Sequence, residues 1–162
     1  MKKYIFITLV LLVSCQKKTP YNLGDKYYLE HDLNYYFAVY YDENIDDDNR
    51  GKYIDGDILK INYDSTFVIA LIKPVYKITE SEEGKKIHNY KDRKKLIETS
   101  LMREYWILNK KNEPKPMKNE NGYFYSNVYG PFNEEEYLKK LKELGVSDSL
   151  QLIPVKQFLE KE

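Results

Sequence analysis

The chain reads as an α+β domain: an antiparallel, meander-like sheet packed against one or two C-terminal helices. Three stretches carry that reading. In residues 34–42, Tyr35, Phe37, Val39 and Tyr41 share one face of a period-two pattern, and Tyr36, Ala38 and Tyr40 share the other. Residues 67–72 are apolar without a break and stop at Lys73-Pro74, as a central strand would. Residues 133–145 open on Asn133, place Glu136 where a capping box needs it, and close on Gly145.

Taken in order, residues 16–24 are polar and hold Pro20 and Gly24. They read as a tether, with an ordered edge segment as the open alternative. Residues 26–32 alternate loosely and predict a first strand; residues 34–42 predict a second, apolar on both faces and therefore inside the sheet. Residues 42–51 are acidic and predict a loop. Residues 57–64 alternate, with Leu59, Ile61 and Tyr63 opposite Lys60, Asn62 and Asp64. Asp64-Ser65 is a turn signal, so this strand and residues 67–72 predict a hairpin.

Residues 75–78 predict a short further strand. Asp92 predicts a cap for a helix through residues 95–101, with Leu96, Ile97 and Leu101 on one side. Residues 105–108 predict a strand, residues 109–121 a polar connection, and Asn121-Gly122 a turn. Residues 123–129 predict one returning strand with Tyr123, Tyr125 and Tyr129 on a single face, broken by Gly130-Pro131. In the helix after Asn133, Tyr137, Leu138, Leu141 and Leu144 form the apolar stripe, and Glu134, Glu135 and Glu136 suit the positive end of the dipole. A last short helix follows Pro154.

Composition limits the function classes. There are 26 basic and 26 acidic side chains, which gives no support to nucleic-acid binding. A single cysteine rules out a disulfide framework, so the core must hold the fold. Seventeen tyrosines and six phenylalanines supply much of that core.

The amino end has its own pattern. Lys2 and Lys3 precede an apolar run, Tyr4 to Val13, which is followed by Ser14 and Cys15. The run is far shorter than the ~20 residues a membrane-crossing helix needs and suits a signal peptide. Leu12-Val13-Ser14-Cys15 resembles a lipobox, the processing site of bacterial lipoproteins. The resemblance implies cleavage between Ser14 and Cys15, removal of residues 1–14, acylation of Cys15 and a membrane anchor of several acyl chains. Gln16 then favours the outer membrane. On this reading residues 15–24 are the acylated cysteine and tether, and residues 25–162 one domain.

The later chain resembles an uncharacterised family of small bacterial lipoproteins. The pieces are Tyr105-Trp106-Ile107-Leu108-Asn109-Lys110, Tyr129-Gly130-Pro131-Phe132, Lys142-Glu143-Leu144-Gly145-Val146 and, upstream, Phe67-Val68-Ile69-Ala70. The resemblance implies a fold and a location and lends no catalytic residue. Residues 80–93 depart from its pattern.

Candidate sites are few. Asp46, Asp48 and Asp57 fall at positions 1, 3 and 12 of an EF-hand-like loop, but Arg50 stands at position 5, where an oxygen ligand is needed. They are weak metal candidates beside the plain reading of a solvated loop. Lys85, Lys86, Lys91, Arg93, Lys94 and Lys95 surround His88, and Glu80, Glu82, Glu83 and Asp92 offset them, so a solvated face is expected. Trp106, Tyr123, Tyr125 and Tyr129 form a candidate binding face, against the plain reading of a strand's core side. His31 and His88 are the only histidines, and no nucleophile, zinc or phosphate-loop motif accompanies them.

The expectation is a lipid-anchored, non-enzymatic envelope protein that needs no cofactor and binds a protein partner. The alternative is a small-ligand or glycan binder with an aromatic cleft. An exposed apolar patch marks the first; a concave site with tyrosine walls and convergent polar groups marks the second.

Overall fold

Short alternating segments build a first sheet in chain order. It comprises β1 (Tyr21–Gly24), β2 (Tyr27–His31), β3 (Phe37–Tyr41) and β4 (Gly51–Ile54), each antiparallel to the next. The computed structural model describes residues 20–31, 36–41, 51–119 and 122–160. Ser14, Cys15, Asp46 and Asp48 lie outside that range. The turn between β1 and β2 needs left-handed backbone at Gly24, Asp25 and Lys26, with φ of 84°, 50° and 67°. Glycine meets that need without strain, and aspartate tolerates it better than most residues.

The rest of the chain follows as β5 (Asp57–Tyr63), β6 (Phe67–Lys73), α1 (Val75–Thr79), α2 (Glu82–Lys85), α3 (Tyr90–Thr99), β7 (Glu104–Asn109), β8 (Pro116–Asn119), β9 (Gly122–Tyr125), β10 (Val128–Phe132), α4 (Glu134–Leu144), β11 (Ile153–Pro154) and α5 (Val155–Leu159). A second, five-stranded antiparallel sheet has the order β10-β7-β6-β5-β11, and β8 and β9 pair as a separate hairpin.

The unbroken apolar run now has its reason. β6 is the middle strand and is covered on both faces. Val68, Ala70 and Ile72 meet Leu23, Tyr27, Leu29, Val39 and Ile54 of the first sheet, with Phe158 of α5 at the margin. Phe67 and Ile69 meet Tyr137 of α4, together with Val146 and Leu150 beyond it. The fold is therefore three layers: sheet, sheet, helix. The class is α+β as expected; the single expected sheet is two.

Several boundaries differ from the sequence reading, each for a local reason. Residues 21–24, expected to end the tether, form β1, because Leu23 is fully buried between the sheets. Residues 51–54, outside any expected strand, form β4, with Tyr53 and Ile54 buried. In β5 the register slips between Ile58 and Lys60, so Ile58 and Ile61 are both buried and Leu59 is displaced from the expected face. Residues 75–78 are helical, since Pro74 at the N-cap starts a turn in which Ile78 alone is buried. Asn89, not Asp92, caps α3: its side chain accepts from the Asp92 amide at 2.8 Å. Ser126-Asn127 splits the expected strand over residues 123–129 into β9 and β10. Gly130-Pro131, cis, does not end β10; proline is tolerated because β10 is an edge strand. Leu138 is 51% exposed and leaves the stripe to Tyr137, Leu141 and Leu144. The capping box at Asn133 and the left-handed Gly145 cap are as expected.

Candidate functional site

A cleft of about 300 Å³ opens between α1, α3 and the start of β5. Helical spacing assembles one wall. Tyr90, Arg93, Lys94, Ile97 and Glu98 recur every three or four residues along one side of α3. Val75 and Thr79, four apart, come from α1; Tyr36, just before β3, and Asp57, the first residue of β5, complete the lining.

Lys73 holds α3 in place. Its buried ammonium donates to the carbonyls of Ile97 at 3.1 Å and Glu98 at 2.6 Å, in the last turn of the helix. Those carbonyls have no partner within the helix, so a cation there is doubly suited. Lys73 is also the cross-strand partner of Asp57. Asp57 is part-buried and its carboxylate has no hydrogen-bond or ion-pair partner among the described residues. Burial pushes its pKa up, and the nearby charges of Lys73 and Arg103 pull it back. Among the described residues Arg93 makes only a long contact, 3.4 Å, to the Ile87 carbonyl, and Lys94 pairs with Glu98 at 3.8 Å.

Chemically the cleft offers aromatic and aliphatic walls, two carboxylates, Asp57 and Glu98, and two cations, Arg93 and Lys94, on the wall that also carries Glu98. Neither imidazole belongs to it. His31 stands edge-on to Phe37 at 5.0 Å, and His88 is exposed between α2 and α3.

The four residues of the expected aromatic face are not one surface. Tyr125 lies flat on Tyr53, 3.8 Å away, and packs with Trp106 against the core between the sheets. Tyr129 packs on the other side of the second sheet, with the Lys140 ammonium 5.3 Å above its ring. Tyr123 lies in β9, and its side chain is outside the described residues. Of the expected metal set, only Asp57 is described. Among the described residues no three His, Cys, Asp or Glu side chains gather around a common point.

Sequence reading missed the cleft. Charge pattern alone places Arg93 and Lys94 on a solvated basic face, and alternation places Tyr36 inside a strand. The available signal was the spacing of Tyr90, Arg93, Lys94 and Ile97 on one helix.

The chain matches the model of a family described as protein of unknown function (DUF3997), over residues 25–156. It belongs to that family. No curated protein and no solved structure matches it. The DUF3997 span contains every residue of the cleft, and it runs through residues 80–93, which the sequence reading had set apart. It begins after β1, whose Leu23 is part of the core.

Proposed function

We propose that this DUF3997 protein is a lipid-anchored protein of the cell envelope that works by binding and not by catalysis, and that it holds a small ligand in the cleft between α1 and α3. One observation carries the binding reading: the part-buried Asp57 carboxylate, unpartnered among the described residues, lines a cleft together with Tyr36 and Tyr90. A part-buried carboxylate that faces a cleft can accept a charge-assisted hydrogen bond from a ligand hydroxyl, a stronger bond than one between neutral groups. Concave shape, apolar walls and a few convergent polar groups are the ordinary features of a ligand site.

The anchor rests on the lysine-led apolar run and Cys15. Both precede β1, the first strand among the described residues, and the family span, which supports a leader separate from the domain. Gln16 favours the outer membrane within that reading. Among the described residues no helix is long and apolar enough to cross a membrane.

The test has two arms. Mass spectrometry of the protein from native membranes should find Cys15 amino-terminal and acylated, and Cys15→Ala should leave an uncleaved precursor. An unmodified thiol on the native protein removes the anchor. In the second arm, the purified protein is dialysed against the small-molecule fraction of an envelope extract. Amide signals of α1, α3 and residue 57 should shift, and Asp57→Asn should abolish the shift. Shifts elsewhere only would remove the cleft.

A protein partner is the second reading. Met117 and Phe124 face each other across the β8–β9 hairpin, 45% and 36% exposed. It predicts capture of one stoichiometric envelope protein, lost on Met117→Asp with the cleft intact.

A further inference from the structure

We infer that the cleft between α1 and α3 takes a single sugar ring carrying one anionic group. The inference rests on the cleft being the binding site; it does not depend on the lipid anchor. Size comes first. A volume of about 300 Å³ is at the small end of ligand pockets and suits one ring with its substituents. The walls come next. Tyr36, Tyr90, Val75 and Ile97 offer flat and aliphatic surface to the C–H face of such a ring.

Asp57 then sets what the ring must present. An ionised carboxylate only accepts, so its ligand partner is a donor: a hydroxyl or a cation. Lys73 directly across the strand pair, and Arg103 nearby, already place positive charge beside it. An added ammonium would meet like charge. Neutral hydroxyls satisfy the acceptor without that cost.

The anionic group follows from α3. Arg93 and Lys94 lie three and four residues after Tyr90, on the same wall as its ring. Among the described residues the Arg93 fork makes only a 3.4 Å contact to a carbonyl, whereas Lys94 is paired with Glu98 at 3.8 Å, so those two charges offset each other. The Arg93 guanidinium can turn to a carboxylate or phosphate, and it binds either in two-pronged fashion.

The experiment is calorimetric titration of the purified full-length protein with glucuronate, glucose 6-phosphate, glucose and glycine betaine. Either acidic sugar should bind at least about tenfold tighter than glucose, the effect of one charge-assisted pair. The tighter of the two identifies carboxylate or phosphate as the anionic group. Arg93→Gln should weaken the acidic sugars at least about tenfold more than it weakens glucose. Asp57→Asn should weaken all three sugars, and added salt only the acidic pair. Equal binding of glucose and the acids, or an unchanged Arg93→Gln protein, overturns the inference. So does binding of betaine alone; loss of that binding in Asp57→Asn would still leave the cleft as a ligand site. No heat from any compound, with an unaltered melting curve, also overturns it, while the extract dialysis separately decides whether the cleft binds anything.

Discussion

Asn127 shows how one buried side chain ties distant parts together. Fully buried, it donates to the Tyr27 hydroxyl at 2.7 Å and to the Asn109 carbonyl at 3.1 Å. Asn127→Ala strands both acceptors, and should cost about 1–3 kcal/mol in urea unfolding. Tyr27 itself has its pKa raised from 10.0 to about 12, because burial penalises the phenolate. Burial pushes Tyr137 up as well. Below pH 10 both rings are protonated in the folded and the unfolded chain. Between pH 10 and about 12 the unfolded tyrosines ionise and the folded ones do not, so stability falls as pH rises through that window. Urea midpoints measured across it should decline, and Tyr137→Phe should flatten the decline while changing little at neutral pH. A wild-type midpoint that stays level would contradict the burial of both rings.

Lys73 and Gly130 each decide the position of a whole element. Lys73→Met keeps the buried stem and removes the ammonium that satisfies the carbonyls of Ile97 and Glu98. α3 has no fully buried residue of its own, so this anchor matters more than its packing. Hydrogen exchange in α3 should accelerate by about tenfold or more, as the loss of a charged hydrogen bond implies, while β6 and β7 stay protected. Gly130 lies under the Trp106 ring with φ of 139°; an added Cβ would come within 2.8 Å of that ring. Gly130→Ala should therefore lower stability by about 1–3 kcal/mol, read as a fall in melting temperature. The same elements show where sequence reading stopped. The capping box at Asn133 is local chemistry and was legible. The helix at residues 75–79 was not, because five residues cannot separate a period of 2 from one of 3.6. Nor was the split at Ser126-Asn127, where Asn127 turns inward to Tyr27, 100 positions away.

The two sheets stand or fall as one body. The Lys110 ammonium donates to the Leu23 carbonyl and lies 5.2 Å over the Tyr63 ring, and Lys111 pairs with Asp25 at 3.0 Å. These contacts fasten the first turn of the chain onto the end of β7. A protein beginning at residue 25, where the family span starts, loses Leu23 from the core between the sheets. It should be less stable by about 2–5 kcal/mol, the usual effect of emptying a buried leucine site. Thermal melts of chains beginning at residues 16 and 25 would show it, and equal curves would remove β1 from the core. Residue order alone established the α+β class, the central place of residues 67–72 and the capped helix α4, since each depends on contacts between near neighbours or on simple periodicity. The division into two sheets, the dispersal of Trp106, Tyr125 and Tyr129 and the cleft around Asp57 were decided only by folding. They depend on side chains far apart in the chain competing for the same buried space, and no local pattern records who wins.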